Sequence, residues 1–428
     1  MNWLAGLIRS LMLLIVLLCA SNHSYAQQRF PKPEFKTEYT QPVPEHPAPR
    51  SPALEFLDLA ILVLVMSLTA WVAIRRRSRY GILILTIFSL FYFGFYKQGC
   101  ICSVGSIQNV ALALADPTYR LPLVALLVFL LPLIFSLFFG RVFCAAACPL
   151  GAIQDLIIFK PINLPVWLRK SLSILPWTYL GLAVLFATTG TDFIICRYDP
   201  FIGIYRLNGK FIMILLGIAF LLMGLFVARP YCRFICPYGA LLSLTSRFSK
   251  WHLSIYPTSC VQCKLCTTAC PFEAIDFPDS EQTKPEPRTQ TRRFLTFAAL
   301  IPVLIAVGMF IGSLSHVFLS RANSTVYLAE LLIAHPELRS DPLNLDIQTF
   351  LASGQTLETL TEDAATIREK FRIGAMILGG FLGLVIGLTA LNQLIFRRKE
   401  DYQANRADCY SCARCLDYCP VDKTVAHG

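Results

Sequence analysis

Long apolar segments constrain the fold of this 428-residue chain more than any other feature. Each is about 20 residues long, which is the length that an α-helix needs to cross the hydrocarbon core of a bilayer. The composition agrees, since 55% of the residues are hydrophobic and 15% are charged, whereas about 25% are charged in a typical soluble domain. The sequence therefore predicts a mainly α-helical, polytopic transmembrane bundle, and it excludes an ordinary soluble protein and a disordered chain.

Seven transmembrane spans follow from these segments. Arginine and lysine abut several of them at alternate ends, and these residues favour the cytoplasmic side. With the chain starting outside, segments 75–79, 141–172, 229–293 and 397–428 are cytoplasmic, which predicts a multi-pass protein of a bacterial inner membrane. The net charge of +11 then reflects topology, so lipid is a predicted partner and nucleic acid is not. The spans lie near residues 54–74, 80–97, 121–140, 173–190, 211–228, 294–317 and 372–396.

The remaining segments complete the predicted domain plan. Residues 1–26 have the basic start, apolar stretch and small-residue cleavage site of a secretory signal peptide. Seven prolines within residues 27–53 predict an extended exported linker. Residues 319–371 are predicted to form an exported helical cap. The division is 1–26, signal peptide; 27–53, linker; 54–250, five-span core; 251–293, first ferredoxin half; 294–396, transmembrane hairpin with its cap; and 397–428, second ferredoxin half.

Two cysteine runs carry the strongest chemical signal. Each has the spacing C-x-x-C-x-x-C-x-x-x-C-P of bacterial ferredoxins, whereas a zinc site more usually shows paired C-x-x-C knuckles. Three thiolates of a run hold one [4Fe–4S] cluster, and in two-cluster ferredoxins the fourth ligates the other cluster. We therefore predict two [4Fe–4S] clusters in a small cytoplasmic ferredoxin-like α+β domain assembled from two separated segments. The predicted ligand sets are Cys260, Cys263 and Cys266 with Cys419, and Cys409, Cys412 and Cys415 with Cys270.

A shorter motif, R-x-x-C-x-x-x-C-P-x-G-A, occurs twice, at residues 141–152 and 229–240. Each copy follows a predicted span at its inner end, which suggests duplication of a two-helix unit. The motif supplies four thiols on the cytoplasmic face. Three roles are open: a third cluster at the membrane edge, a dithiol redox pair, or a purely structural role. The four cysteines are Cys144, Cys148, Cys232 and Cys236.

Three further cysteines lie at the predicted outer ends of spans. Cys100 and Cys102 follow the second span, and Cys196 follows the fourth. An exported compartment favours a disulfide, and a small metal or redox site at the outer membrane edge is the alternative. The sequence does not decide between these two roles.

The positions of the histidines argue against haem. Of the six histidines, only His316 comes near a span, whereas a transmembrane b-type haem needs two axial ligands deep in the bundle. We therefore predict no bis-histidine haem. About 30 Å of hydrocarbon separates the two faces of a bilayer, which is too far for one efficient electron jump. A quinone, an outer metal site or a partner subunit is needed to complete a transmembrane path.

The combination of the two C-x-x-x-C-P repeats with split ferredoxin runs resembles the NosR/NapH-like membrane-bound polyferredoxins over residues 54–428. The segments around Cys100, Cys102 and Cys196 are also similar to outer-loop signatures of NosR-like members. The resemblance implies electron transfer between the quinone pool or a cytoplasmic ferredoxin-type donor and an exported flavoprotein, cytochrome or reductase. NosR itself carries a large exported FMN domain before its spans, and here a short Pro-rich linker stands in that place.

The predicted function is that of a membrane-bound iron–sulfur electron-transfer protein. In enzymatic terms it would be a subunit of an oxidoreductase, of the quinol dehydrogenase kind. The alternative is a redox-sensing or maturation factor for an exported metalloenzyme. We find no nucleophile or acid–base constellation, and we predict no catalytic residues.

Overall fold

The structure is a computed structural model that describes residues 51–99, 102–255, 260–278, 287–336, 345–394 and 402–420. The predicted signal peptide, nearly all of the Pro-rich linker and Cys100 lie outside the described residues. The described part of the chain is mainly helical, as predicted.

The helices are, in chain order, α1 (Pro52–Trp71), α2 (Arg79–Ser89), α3 (Ser103–Ala115), α4 (Leu123–Phe139), α5 (Pro149–Ile157), α6 (Val166–Leu172), α7 (Leu175–Thr188), α8 (Ile194–Arg197), α9 (Ile202–Arg206), α10 (Phe211–Gly224), α11 (Pro230–Phe234), α12 (Pro237–Ser246), α13 (Leu265–Ala269), α14 (Pro287–Ser320), α15 (Ser324–Ala334), α16 (Leu345–Ala352), α17 (Leu357–Leu394) and α18 (Arg414–Asp417). Three π-helical segments cover Val72–Arg76, Leu90–Tyr96 and Phe143–Ala147. Two short strands are β1 (Ile275–Asp276) and β2 (Gln403–Ala404).

Five helical segments in the described part of the chain are long and apolar enough to cross a membrane. Two other predicted spans, 121–140 and 211–228, correspond to the shorter apolar helices α4 and α10, which have 17 and 14 residues. The count of seven spans therefore stays a prediction. The five candidate spans are Pro52–Arg76, Arg79–Tyr96, Val166–Thr188, Phe294–Ser320 and Leu357–Asn392.

Two short helices, α5 and α12, run alongside the longer helices inside the bundle. Each begins at the Cys-Pro of a repeat motif. The chain reverses before each one at a residue with positive φ: Gly140 (φ 73°), just before the first repeat, and Arg229 (φ 48°), the first residue of the second repeat. A positive φ at a reversal suits glycine, whereas it is strained for arginine. Arg229 is fully buried and makes several contacts, which hold this conformation.

The two ferredoxin runs come together as one unit, formed by residues 260–278 and 402–420. Antiparallel pairing of β1 with β2 joins them, with Ile275 opposite Ala404. The long helices α14 and α17 pack against each other between the two segments. The chain thus leaves the ferredoxin-type unit on α14 and returns to it on α17.

The predicted helical cap contains helices that pack around a small apolar core of their own. Helices α15 and α16 lie within residues 319–371, and Val326, Ile347 and Leu360 contribute to a small apolar core there. The last part of the predicted cap is continuous with the following span, because α17 runs without a break for 38 residues. The apolar face beginning at Leu357 packs into this small core through Leu360 and Ala364, at the start of the candidate span Leu357–Asn392.

Candidate functional site

The first predicted ferredoxin ligand set lies at the edge of the ferredoxin-type unit. Cys260, Cys263, Cys266 and Cys419 line one small cavity. Cys263 is exposed and Cys266 is buried, so this group of thiols faces the surface on one side. The structure brings together the four cysteines that the spacing assigned to one cluster.

The second predicted set lies deeper. Burial raises the pKa of the Cys409 thiol to about 12, and the nearby Cys412 and Cys270 thiols add to the rise. Burial also raises the pKa of the Cys415 thiol, and Cys409, Cys412 and Cys270 add to that rise. Packing brings the four together, because Cys270 and Cys409 both contact the two apolar clusters that contain Cys412 and Cys415. The four cysteines of the second set are therefore also gathered at one place.

The four cysteines of the C-x-x-x-C-P repeats form a third group, which we name the four-thiol site. Cys144, Cys148, Cys232 and Cys236 are all buried. Burial raises the pKa of Cys148 and Cys236 well above the usual value, and the neighbouring motif thiols raise it further. Two segments that are far apart in sequence thus converge with their sulfur atoms close together.

The local structure explains why each motif reads Cys-Pro. Cys148 and Cys236 occupy the N-cap positions of α5 and α12, and the prolines follow at the first helical position. Proline suits that position because it has no N–H to leave unpaired. The Sγ of Cys236 accepts a hydrogen bond from the N–H of Gly239 at 3.3 Å. Each helix therefore directs its positive N-terminal end toward the thiols, which favours a negatively charged group there.

The arginine of each motif reaches across to the other repeat. Arg229 donates to the carbonyl groups of Cys144 and Ala145. In return, Arg141 donates to the carbonyl of Gly239 at 3.3 Å. This reciprocal arrangement is what two copies of one motif produce when they pack around an approximate two-fold axis.

The motif glycines make room for this exchange. A Cβ atom on Gly151 would lie 3.2 Å from the Nη1 of Arg229, and one on Gly239 would lie 3.3 Å from the Nη2 of Arg141. Both distances are tighter than ordinary van der Waals contact. The identical spacing of Arg, Cys and Gly in the two copies therefore follows from one packing arrangement.

A buried carboxylate completes the charge network beside the four-thiol site. Asp155 pairs with Arg79, Arg229 and Arg414. Burial on its own would raise the pKa of Asp155, but the three guanidinium groups lower it to about 2. The sequence analysis missed Asp155, since the second repeat has Ser243 at the equivalent place and the residue carries no motif.

The four-thiol site lies inside the bundle, and its position on the cytoplasmic side of the membrane stays a prediction. The hydroxyl of Tyr238, next to the second Cys-Pro, donates to the carbonyl of Phe129 at 2.6 Å. Phe129 lies ten residues before Phe139, the end of α4, and this corresponds to about 15 Å along the helix. At its other end, α12 reaches the ferredoxin-type unit, where the Ser246 hydroxyl donates to the carbonyl of Arg406 at 2.9 Å. Hydropathy could not show this inward placement, because α5 and α12 are too short to register as spans.

An aromatic pair joins the second ferredoxin set to the four-thiol site. The rings of Phe272 and Tyr410 lie 4.6 Å apart, and the Tyr410 hydroxyl donates to the carbonyl of Cys232 at 3.3 Å. The guanidinium of Arg141 lies 4.2 Å from the centre of the Tyr410 ring. Tyr410 directly follows Cys409, so one residue step separates a ferredoxin ligand from a group that contacts the four-thiol site. Sequence reasoning gave no sign of this contact.

Cys102 lies next to the four-thiol site, and Cys196 lies close to Cys102. Cys102 lines a small cavity together with Cys148, Asp199 and Tyr205. The predicted position of Cys102 at the outer membrane edge stays a prediction. Burial raises the pKa of Asp199 to about 6. The hydrogen bonds that its carboxylate accepts from backbone N–H groups limit this rise.

Comparison with known proteins identifies the relatives of the chain. A family described as "4Fe-4S binding domain" matches residues 121–174 and 210–256, and another of the same description matches residues 253–276. The uncharacterized protein MJ0750 of Methanocaldococcus jannaschii is 30% identical over 191 residues, which are 42% of this chain and 77% of that protein. Protein NirI of Paracoccus denitrificans is 30% identical over 47% of this chain and 31% of its own length. The regulatory protein NosR of Stutzerimonas stutzeri is 27% identical over 47% of this chain and 29% of its own length.

The chain belongs to the NosR-like family of membrane iron–sulfur proteins. This family supports a role in electron transfer. The matched region is about a third of NirI and NosR, so only that part of those longer proteins is shared with this NosR-like chain. No solved structure matches it.

The family models support iron–sulfur clusters in this NosR-like chain, and the structure gathers cysteines in three groups. Each group offers four cysteines, which is the donor set of a [4Fe–4S] cluster. Beside the four-thiol site, the Nε–H groups of Arg141 and Arg229 are buried without a hydrogen-bond partner within the described part of the chain. Buried donors of this kind suit an anionic group bound nearby.

Proposed function

We propose that this NosR-like protein transfers electrons through three [4Fe–4S] clusters, from the ferredoxin-type unit into the interior of the membrane bundle. Cys260, Cys263, Cys266 and Cys419 would hold the cluster at the edge. The second cluster would be held by Cys270, Cys409, Cys412 and Cys415, and the third by the four-thiol site. When bound, such clusters supply one-electron redox chemistry.

One observation carries this proposal: the four-thiol site lies between the ferredoxin-type unit and the far half of the bundle. A path across about 30 Å of hydrocarbon needs an intermediate redox site, and the four buried thiols at the N-terminal ends of α5 and α12 would supply one. The aromatic pair of Phe272 and Tyr410 spans the interval between the second set and the four-thiol site.

The protein's own groups set the conditions for this chemistry. Arg141 and Arg229 offset negative charge at the four-thiol site, and the N-terminal ends of α5 and α12 act in the same sense. Burial excludes water from that site, while the exposed side of Cys263 leaves the edge set open to a redox partner. The arrangement suits entry or exit of electrons at the edge and their passage inward.

We propose further that the ferredoxin-type unit is cytoplasmic and that the membrane is a bacterial inner membrane. The donor would be a cytoplasmic ferredoxin-type protein or the quinone pool, and the acceptor an exported flavoprotein, cytochrome or reductase. The basic residues flanking the candidate spans on the side of the ferredoxin-type unit support this orientation.

Iron and acid-labile sulfide per chain test the proposal, together with EPR of the reduced protein after anaerobic purification. We expect about twelve irons in the unaltered protein, corresponding to three cubane clusters. The double variant Cys148→Ser, Cys236→Ser should retain about eight. The matched control is Ser103→Ala, which removes a hydroxyl group from the cavity that Cys148 also lines, without removing a thiol. About eight irons in the unaltered protein would refute the third cluster, and bound zinc with little iron would refute electron transfer.

A redox-sensing role is the second candidate, and the name of the relative NosR, a regulatory protein, favours it. The same thiols would then hold clusters whose oxidation state controls another protein. The two roles differ in turnover: steady reoxidation of the reduced clusters by a quinone analogue supports electron transfer, whereas stable reduced clusters support sensing.

A further inference from the structure

Two thiols from different parts of the chain meet beside Gly105. A Cβ atom on Gly105 would lie 2.9 Å from the Sγ of Cys196 and 3.9 Å from the Sγ of Cys102. Both sulfur atoms therefore lie against the same point on α3, and the absence of a side chain at Gly105 leaves the space that they share.

Specific contacts hold the two thiols in this position. Cys102 is the N-cap of α3, and its Sγ accepts a hydrogen bond from the N–H of Gly105 at 3.3 Å. The side-chain carbonyl of Gln108, which is fully buried, accepts the N–H of Ile195 at 2.9 Å. Gln108 thus ties the segment that carries Cys196 to the helix that begins at Cys102.

The thiol pair is also next to the four-thiol site. One small cavity is lined by Cys102 and by Cys148. Asp199 and Tyr205 line the same cavity, and the Tyr205 hydroxyl donates to the carbonyl of Pro149 at 2.7 Å. The cavity thus connects Cys102 of the pair with Cys148 of the four-thiol site.

We propose that Cys102 and Cys196 form a redox-active dithiol/disulfide pair that follows the four-thiol site on the electron path. Its substrate is a disulfide in a partner protein. This inference rests on the proposed function, because the iron–sulfur path supplies the reducing electrons. Reduction of the Cys102–Cys196 disulfide takes up two electrons, delivered singly, and two protons from water. The S–S bond breaks and two S–H groups form.

The second half of the cycle is thiol–disulfide exchange. The Cys196 thiolate attacks a disulfide of the partner and forms a mixed disulfide, and one partner thiol leaves. Cys102 then attacks Cys196, which releases the second partner thiol and restores the Cys102–Cys196 disulfide. The exposure of the two residues suits this order, because Cys196 is exposed and Cys102 is half-buried.

The test uses the full-length, iron-loaded protein equilibrated in dithiothreitol redox buffers. Free thiols are alkylated, and the digested protein is analysed by mass spectrometry. We expect a linked peptide pair containing Cys102 and Cys196 that forms and disappears with a single midpoint. In the unaltered protein, dithionite should reduce the pair. The Cys196→Ser variant should lose the linked peptides and make Cys102 available to alkylation, while its iron content and EPR signals stay unchanged.

A second variant tests the shared space beside Gly105. Gly105→Ala should shift the dithiol/disulfide equilibrium at least tenfold toward the dithiol, which is about 30 mV for a two-electron couple. The matched control is Gly224→Ala, where a Cβ would meet only Pro230 at 3.8 Å, and it should leave the midpoint unchanged.

Three results would overturn the proposal. Independent alkylation of Cys102 and Cys196 at every redox poise would show that no pair forms. Linkage of either residue to Cys100 would assign the disulfide elsewhere, and protection of both thiols until a chelator is added would show a metal site. If iron is absent but the pair still cycles with dithiothreitol, the proposed iron–sulfur function fails while the thiol pair stands.

Discussion

The edge of the ferredoxin-type unit and the four-thiol site each offer four cysteine thiols, but one group borders the surface and the other is buried. At the edge, Cys263 is exposed and the thiols border a cavity near the surface. At the four-thiol site every cysteine is buried, and Arg141 and Arg229 are buried with them. Equal ligands therefore do not imply equal redox properties, because charge compensation and access to water differ.

The comparison also shows what each region needs in order to exist. The edge set is built from neighbouring residues of one run plus Cys419, so local chain geometry largely forms it. The four-thiol site depends on two distant segments and on a buried charge network centred on Asp155. Damage to that network should therefore affect the four-thiol site and leave the edge set intact.

The largest effect is expected from Asp155→Asn. The neutral amide leaves Arg229 buried without a carboxylate, and breaking a buried pair in this way costs about 3–5 kcal/mol. Denaturant unfolding of the detergent-solubilised protein measures the loss. The control Asp192→Asn removes the exposed pair with Arg197 and should cost at most about 1 kcal/mol. Equal losses in the two variants would contradict the structural importance of the Asp155 network.

Removal of one edge ligand should be confined to one cluster. We expect Cys263→Ala to lose about four irons and one EPR signal, together with electron transfer from a soluble donor. The signals of the other two clusters should persist, because their ligands are separate residues. Iron analysis and EPR measure the outcome, and an unchanged iron content would show that Cys263 is not a ligand.

Acid should weaken the charge network in a defined pH range. Three arginines hold the pKa of Asp155 at about 2 against the effect of burial, whereas the usual value in an unfolded chain is about 3.9. The folded state therefore binds this proton less tightly, so the contribution of Asp155 to stability is complete above about pH 4 and is lost as the pH falls toward 2.

The stability difference between the unaltered protein and Asp155→Asn measures this contribution. It should be largest at neutral pH and should shrink on acidification by about 2–3 kcal/mol. A difference that stays constant from pH 7 to pH 3 would show that Asp155 does not titrate with a lowered pKa.

The smallest effect is expected from charge removal next to the buried thiols. Arg141→Gln removes a positive charge that favours the reduced state of the four-thiol site, so its midpoint potential should fall. We expect a change on the order of 60 mV, which is tenfold for a one-electron couple. An EPR-monitored redox titration measures it. Arg169→Gln is the control, since Arg169 pairs with Glu273 in a half-exposed position and should leave that midpoint unchanged.

Spacing along the chain carried most of the information on the ferredoxin-type unit. The runs at residues 260–271 and 409–420 predicted which cysteines belong together, and the structure gathers both sets. Spacing could not reveal the pairing of Phe272 with Tyr410, because that contact depends on the return of α17 to the unit. The C-x-x-x-C-P cysteines were identified by repetition, but only the structure showed that all four are buried together inside the bundle.

The amino-acid sequence by itself determined the helical membrane fold, the candidate spans and the identity of the thiol donors. These features depend on local hydrophobicity and on short cysteine spacings, which act within one segment of chain. Only the tertiary structure decided that α5 and α12 turn back into the bundle. It also decided that Arg141 and Arg229 each hydrogen-bond to the other repeat, and that Cys102 meets Cys196 beside Gly105. These features depend on contacts between segments far apart in sequence, where packing and buried charge, rather than local preference, select the arrangement.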